Sequence, residues 1–371
     1  MVPLARRYLF SDRLRLAISA GGVAVAVLLI VLVLGLYRGI YDQAGRLATR
    51  APSNLWVTQA GSPDPSHGAS VLPDSALGAI EEVDGVAAVQ PLLARSMMIG
   101  TESNDGVASV LVLSLPDGPL QLETAEAFGV SDLPSSSEIA LSGIVADDLG
   151  VARGDTVFLG TTPLRVSEVS PIVESAFGGA VFVNTDDAQR LFALSASFSF
   201  ALVALSPGAD VPRAEKAIES AVPGANALTS EAFANTTRRE VEEGFLPVVA
   251  VLIAVAFVVG LSVISLTIYT STVERIRDYG VLKAVGATSG QLLSVVARQS
   301  LAVALIGFAA GVALAVGAGQ LLGEAVPEFV TLYRWQDVIA VLAAALLMSA
   351  LAAAVPVRRV AGVDPAIVFR A

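Results

Sequence analysis

Four long hydrophobic runs without a charged residue dominate the pattern of the chain, at 16–36, 245–273, 299–323 and 338–357. Each is long enough to cross a hydrocarbon core of about 30 Å as an α-helix that rises about 1.5 Å per residue. The first run is also longer than the roughly 7 to 15 apolar residues of a cleaved signal peptide. The pattern therefore predicts four retained transmembrane helices.

The more polar segment between the first two runs, 41–244, has the pattern of a folded domain. Two amphipathic stretches, 73–83 and 211–222, predict helices, and a Ser-rich stretch at 131–138 is a candidate boundary between two subdomains. We expect an α+β domain with its own core. Short β-type runs predict strands at 54–59, 109–115, 155–160, 164–170, 180–184 and 200–205, with one more after Asp84-Gly85.

Both junctions between this domain and the membrane read as helix. The stretch 37–50 continues the first run without a breaker, and 229–245 leads into the second run behind Thr229 or Ser230 as a candidate N-cap. These stretches are either ordinary flanking helix or rigid stalks that carry motion outward.

Basic residues near the ends of the spans predict the orientation. They precede the first span, separate the second from the third and follow the fourth, which favours a cytoplasmic location for all three segments and both termini. Residues 41–244 hold 10 Lys and Arg against 27 Asp and Glu, a net of −17, and the remainder holds 13 against 7, a net of +6. This acidic surface offers no basic stripe for nucleic acid. The basic residues are Arg6, Arg7, Arg13, Arg15, Arg275, Arg277, Lys283, Arg358, Arg359 and Arg370.

The predicted fold class is a membrane α-helical protein with four transmembrane helices and a large extracytoplasmic α+β domain inserted between helices 1 and 2. The expected location is the cytoplasmic membrane of a bacterium. The predicted order is a cytoplasmic N-terminus (1–15), a first span (16–40), the outer domain (41–244), a second span (245–273), a cytoplasmic loop (274–294), a third span (295–323), a short outer loop (324–337), a fourth span (338–357) and a cytoplasmic tail (358–371).

Catalytic and metal-binding patterns are missing from the sequence. It has two lysines, Lys216 and Lys283, neither in a phosphate-binding loop, no cysteine and one histidine, His67. The acidic pairs Asp147-Asp148 and Asp186-Asp187 fit helix starts and turns better than catalysis. No span carries a central acid or base of the kind that an ion-coupled transporter usually keeps. We expect a non-catalytic chain with no cofactor of its own.

Glycines at a spacing of four lie in two of the predicted spans. A Gly-x-x-x-Gly pair lets two helix backbones approach closely, either within the chain or between two copies. The pairs are Gly35 and Gly39, Gly307 and Gly311, and Gly319 and Gly323.

The cytoplasmic stretch 274–296, "ERIRDYGVLKAVGATSGQLLSVV", combines a charged start with small residues and an apolar end. A short helix near the membrane surface fits this pattern, and its small residues would let a partner protein approach. A plain turn between two helices is the alternative. The candidate contact residues are Glu274, Arg275, Asp278, Tyr279, Gly280, Leu282, Lys283, Ala284, Gly286 and Ala287.

The same stretch resembles the Glu-Arg-x-x-Glu-Ile-Gly-x-Leu-(Lys/Arg)-Ala-(Leu/Val)-Gly-Ala signature of the FtsX-like permeases, the MacB, LolC/LolE and DevC group of type VII ABC transporters. The tail "RRVAGVDPAIVFRA" (358–371) is similar to the family's closing pattern, and 142–160 resembles a segment of MacB-like outer domains. Asp278-Tyr279 stands where the family more often has Glu-Ile, and Phe369 where Leu is commoner.

The resemblance implies partners and a mechanism. Two permease chains would pair as a homo- or heterodimer, and a separate ABC ATPase dimer, holding ATP and Mg, would grip 274–290 as a coupling helix. The complex would export or extract a lipid, lipoprotein, peptide or amphipathic small molecule at the outer face of the membrane. A membrane-fusion adaptor or a substrate-binding protein would be further partners, and membrane lipid would surround the spans.

Two alternatives remain open from the sequence. An FtsX-like regulator would use the same motion to activate a cell-wall hydrolase without transport. An intramembrane or surface enzyme would need a nucleophile, metal or base constellation that the sequence does not display.

Overall fold

The computed structural model describes residues 13–61, 70–102, 107–172, 179–194, 196–274, 281, 285, 288–325 and 330–361. The chain divides into two compact units, one comprising Ile40–Gly244 and the other the chain on either side, Met1–Gly39 with Phe245–Ala371. We call them the outer unit and the membrane unit. The inserted-domain arrangement expected from the sequence is therefore observed.

The long helices coincide with the hydrophobic runs and extend beyond them. Within the described residues, four helices have the length and composition to cross a membrane, with spans at Ala17–Ala44, Ser230–Glu274, Ala297–Gly323 and Trp335–Ala353. The full helices are α1 (Arg13–Ala44), α8 (Ser230–Glu274), α9 (Ser289–Ala325) and α10 (Trp335–Ala361).

The outer unit contains six short helices and eleven strands among its described residues. The helices are α2 (Arg46–Arg50), α3 (Ser75–Glu81), α4 (Gln121–Ala127), α5 (Gly143–Leu149), α6 (Thr185–Phe192) and α7 (Val211–Ala221). The strands are β1 (Leu55–Gln59), β2 (Leu72–Pro73), β3 (Val86–Gly100), β4 (Val107–Ser114), β5 (Glu138–Ser142), β6 (Thr156–Leu159), β7 (Thr162–Ser170), β8 (Gly179–Val183), β9 (Ser197–Phe198), β10 (Phe200–Leu205) and β11 (Ala225–Thr229).

The fifteen-residue strand β3 divides the outer unit into two subdomains. Its first half pairs antiparallel with β10 in a sheet of order β11-β1-β10-β3, which α3 and α7 cover. Its second half pairs with β4 and, at Ile99 and Gly100, with β6. Through β8, β5 and β7 these pairings return to β6, so six strands close into a small barrel.

The stretch 131–138, expected at the subdomain boundary, instead lies within the barrel, between α4 and β5. The backbone N–H of Ser137, which has a φ of 66°, donates to the buried carboxylate of Asp187, and Pro134 accepts a hydrogen bond from Asn184. The expectation of a boundary there was wrong. A run of serines indicates local turns, and here those turns are tied down by α6.

Alternating side chains in the first sheet fill two separate cores. Leu55 and Val57 pack on the side of α3 and α7, whereas Trp56 between them packs on the opposite face with Phe200 and Leu202. The period of two in a strand produces this separation. The second face is covered by α2 and by the first turns of α8, through Leu47, Ala48, Phe233 and Ala234.

The stalk expected at 37–50 is interrupted. Helix α1 ends at Ala44, and Gly45 forms a turn before α2. A Cβ built on Gly45 would lie 2.5 Å from the guanidinium of Arg238 on α8. A larger residue at position 45 would therefore have to displace the Arg238 side chain. At the other junction α8 runs on unbroken from its N-cap, where Thr229 Oγ1 accepts from the Ala232 N–H at 3.1 Å.

Candidate coupling site

The candidate coupling loop lies between the end of α8 at Glu274 and the start of α9 at Ser289. Val285 donates its N–H to the Val281 carbonyl at 3.1 Å, which is the hydrogen bond of one helical turn. Both valines are exposed, Val285 to 84%. Two exposed valines one helical turn apart form an apolar surface that a partner protein could cover.

A reciprocal cap fixes where this loop becomes helix. The Thr288 N–H donates to Gln291 Oε1 at 3.0 Å, and the Gln291 N–H donates to Thr288 Oγ1 at 3.3 Å. This is a capping box, in which two otherwise unpaired donors at a helix start are satisfied together. The cap was not predicted from the sequence, although the spacing of Thr288 and Gln291 indicates it.

Of the ten predicted coupling residues, the structure describes Glu274, which is exposed at the end of α8. The other nine lie outside the described residues, as does His67. Those nine are Arg275, Asp278, Tyr279, Gly280, Leu282, Lys283, Ala284, Gly286 and Ala287.

The glycines of the membrane unit serve two kinds of contact within the chain. Gly307 and Gly311 on α9 face α1, because a Cβ on Gly307 would lie 2.8 Å from the Ala20 carbonyl oxygen and one on Gly311 2.6 Å from that of Ala24. Gly35, Gly39 and Gly319 instead face the extended residues 330–333. Gly323 lies half-buried on α9.

An aromatic cluster in the outer unit holds α2 and the first turns of α8, and sequence reasoning missed it. The buried ring of Trp56 stacks on Phe233 of α8, with centroids 4.6 Å apart, and meets Phe200 edge-on at 5.9 Å. Its indole Nε1 donates to the Ala48 carbonyl of α2 at 3.3 Å. One side chain of the sheet thus contacts the chain leaving α1 and the chain forming α8.

A second missed feature is an ion pair in the membrane unit. Arg38 of α1 donates from Nε and a terminal nitrogen to the two carboxylate oxygens of Asp337 on α10, at 3.0 and 3.1 Å. The side chains are 28% and 21% exposed. Such a two-point guanidinium–carboxylate pair fixes orientation as well as distance. Arg38 follows the hydrophobic run 16–36 and Asp337 precedes the run 338–357, so the runs gave no signal that the two residues meet.

The acidic pairs of the outer unit have structural positions. Asp186 and Asp187 lie in the first turn of α6, and Asp187 is buried, pairs with Arg190 and accepts the Ser137 N–H. Asp147 and Asp148 lie on α5, after a start capped by Ser142. Across the part of the chain that the structure describes, no group of three His, Cys, Asp or Glu residues has the arrangement of a metal site.

Comparison with known families assigns both units. The MacB-like periplasmic core domain matches residues 16–221, which is more than half of the chain, and the FtsX-like permease C-terminal domain matches residues 250–365. The chain belongs to the FtsX-like, MacB-type ABC transporter permeases. The FtsX-like match includes all ten predicted coupling residues, and the MacB-like match runs from α1 to α7.

Relatives of this permease cover it to different extents. An uncharacterized ABC transporter permease of Mycobacterium tuberculosis is 26% identical over 361 residues, which are 96% of this chain and 95% of that protein. The macrolide export ATP-binding/permease protein MacB of Shewanella sp. is 28% identical over 226 residues, 58% of this chain and 34% of MacB. The crystal structure of the periplasmic region of MacB from Actinobacillus actinomycetemcomitans aligns with 50% of this chain and 92% of that one, at 11% identity and a TM-score of 0.36.

Proposed function

We propose that this permease is the membrane subunit of a transporter in which a separate ABC ATPase dimer grips the loop between α8 and α9. ATP and Mg are held by that partner, and two permease chains pair in the bacterial cytoplasmic membrane. The cycle of ATP binding and hydrolysis changes the conformation of the outer units. The complex thereby exports or extracts an amphipathic molecule at the outer face. The chain itself carries no catalytic role in this account.

The observation that carries the proposal is the exposure of Val281 and Val285, which a backbone hydrogen bond joins. Apolar side chains on a cytoplasmic loop lose contact with water when a partner covers them, which favours association. Val285 is almost fully exposed in the isolated chain, and Val281 lies one turn before it on the same side. The positively charged neighbours in the sequence, Arg275, Arg277 and Lys283, would orient an approaching partner.

Transmission to the outer unit is supported by the aromatic cluster. Trp56 ties the sheet to Phe233 in the first turns of α8, and the same helix ends at Glu274, where the coupling loop begins. A displacement of that loop can therefore reach the sheet along the continuous helix α8. The stacked rings of Trp56 and Phe233 attach the N-terminal end of α8 to the sheet.

A separate ATPase and an amphipathic substrate are supported by the relatives. The Mycobacterium tuberculosis relative is named as an ABC transporter permease and matches this chain over nearly its whole length. The Shewanella relative is named as a macrolide exporter that is both ATP-binding and permease, and this chain aligns with a third of it. Macrolides are one kind of amphipathic molecule, and we extend the proposal to amphipathic molecules in general.

The proposal is tested by affinity purification of the tagged chain from its native membrane in mild detergent with added nucleotide, followed by mass spectrometry. We expect an ABC ATPase to be retained. Val285→Asp places a charge on the exposed turn and should reduce ATPase recovery at least tenfold, and Gly286→Arg should do the same through bulk and charge.

The matched control is Leu122→Asp, which makes the same kind of change at a side chain that is 75% exposed on α4 of the outer unit. It should retain the ATPase as wild type does. Recovery of an ATPase with all three variants would refute the assignment of the loop. Recovery of a cell-wall hydrolase in a stable complex, instead of substrate-stimulated ATP hydrolysis, would replace the transporter by a regulator.

A further inference from the structure

The extended segment Val330–Arg334, which precedes α10, is inserted between helices of the membrane unit. We call it the strap. The Leu332 N–H donates to the Gly35 carbonyl of α1 at 3.0 Å, and the Tyr333 hydroxyl donates to the Ala315 carbonyl of α9 at 3.0 Å. The strap therefore bonds to the backbones of two different long helices.

Glycines on both helices make room for the strap. A Cβ on Gly35 would lie 2.6 Å from the Tyr333 ring, and one on Gly39 would overlap the Val330 carbonyl. On α9, a Cβ on Gly319 would lie 2.9 Å from Thr331 Oγ1. Three of the six glycines that the sequence singled out thus form a groove for the chain's own outer loop.

An ion pair closes the strap at its C-terminal end. Asp337 lies in the first turn of α10, three residues after Arg334, and its carboxylate binds the Arg38 guanidinium of α1 at two points. Both side chains are more than two-thirds buried. Their attraction is screened less than that of a fully exposed pair. Breaking it would leave two charges close to hydrocarbon, which is costly.

We propose that the strap is a permanent lock that joins the outer ends of α1, α9 and α10 into one body. Opening it would leave the Leu332 N–H and the Tyr333 hydroxyl without partners near the membrane, where water is scarce. The locked helices α1, α9 and α10 then move together during any conformational change of the permease. Helix α8 lies outside this set, and packs on α1 at Gly22 and Gly260 and on Met348 of α10 at Gly260.

The lock is tested by the reactivity of single cysteines, since the chain has none of its own. Thr331→Cys lies in the strap, and Trp335→Cys lies four residues later at a position that is 70% exposed. Full-length variants in membrane fragments open on both faces are treated with a membrane-impermeant maleimide. We expect Thr331→Cys to react at least tenfold more slowly than Trp335→Cys.

Releasing the strap should remove this protection. Adding Gly39→Leu to Thr331→Cys fills the groove and should raise its reaction rate to within about threefold of that of Trp335→Cys. Gly317→Leu on α9 is the control, because a Cβ there would meet no atom within 4 Å, and it should leave the rate low. If Gly39→Leu does not insert, Tyr333→Phe removes the bond to Ala315 without added bulk and should raise the rate severalfold.

The lock is overturned if Thr331→Cys reacts as fast as Trp335→Cys in the otherwise unchanged chain, or if its rate rises on addition of ATP. It is also overturned if neither Gly39→Leu nor Tyr333→Phe raises the rate. These readouts need only the inserted chain. A failure to find an ATPase partner therefore refutes the proposed function without touching the lock.

Discussion

At the scale of single residues, Trp56 joins the first sheet of the outer unit to α2 and α8. Its ring is fully buried, stacks on Phe233, contacts Phe200 and donates to Ala48. Aromatic pairs of this geometry add stability beyond the area that they bury. The stretch "NLWVTQ" predicted a strand, and that strand is β1. The stacking partner, however, lies 177 residues further along the chain, and nothing local to Trp56 identifies it.

Trp56→Ala should lower the free energy of unfolding of the outer unit by about 3 to 5 kcal/mol, because it removes a large buried ring and leaves a cavity. Thermal unfolding of the full chain in detergent, followed by circular dichroism, measures the change. Trp335→Phe is the control, since Trp335 is mostly exposed, and should alter the midpoint little. Equal effects of the two substitutions would contradict the role given to Trp56.

At the scale of elements, close contacts between helices depend on where each glycine faces. Gly311 meets the Ala24 carbonyl and Val27 of α1, whereas Gly317, six residues later on α9, faces open space. The Gly-x-x-x-Gly spacing predicted close approach in general. The spacing could not show whether a glycine contacts another helix or the strap, because either contact needs a residue without a side chain.

Gly311→Val should destabilise the membrane unit by about 1 to 3 kcal/mol, the usual cost of forcing extra carbon atoms into a packed contact. Gly317→Ala should be neutral or stabilising by up to about 1 kcal/mol, because alanine favours a helix over glycine. The thermal midpoints of the two full-length variants in the same detergent compare them. A larger loss for Gly317→Ala than for Gly311→Val would show that α9 faces the other way.

The limits of prediction from sequence are visible in the same elements. Hydrophobic runs located the four long helices, and β-type runs located β1, β4, β6, β7, β8 and β10, because burial imposes its period on the sequence. The break at Gly45 and the division of β3 between two sheets depend on tertiary neighbours. The Arg38–Asp337 pair joins residues 299 positions apart, and run-based patterns carry no information on such pairings.

At the scale of the whole molecule, the net charge differs between the segments that we assign to the two sides of the membrane. Residues 41–244 carry a net of −17, and the remaining residues carry +6. Lys and Arg are retained on the cytoplasmic side during insertion, which favours both termini and the coupling loop inside the cell.

Single cysteines test this orientation in intact cells. Leu122→Cys in the outer unit should react with a membrane-impermeant maleimide from outside, and Val285→Cys should react only after lysis, since both positions are highly exposed and differ in side. Labelling of Val285→Cys in intact cells would invert the assigned topology.

Protection of Val285→Cys in inside-out membrane vesicles measures directly whether an ATPase covers Val281 and Val285. We expect slow labelling by a thiol reagent when the native partners are present, a change in rate when ATP and Mg are added, and rapid labelling in vesicles of Gly286→Arg. Rapid labelling of Val285→Cys that neither nucleotide nor Gly286→Arg alters would contradict the claim.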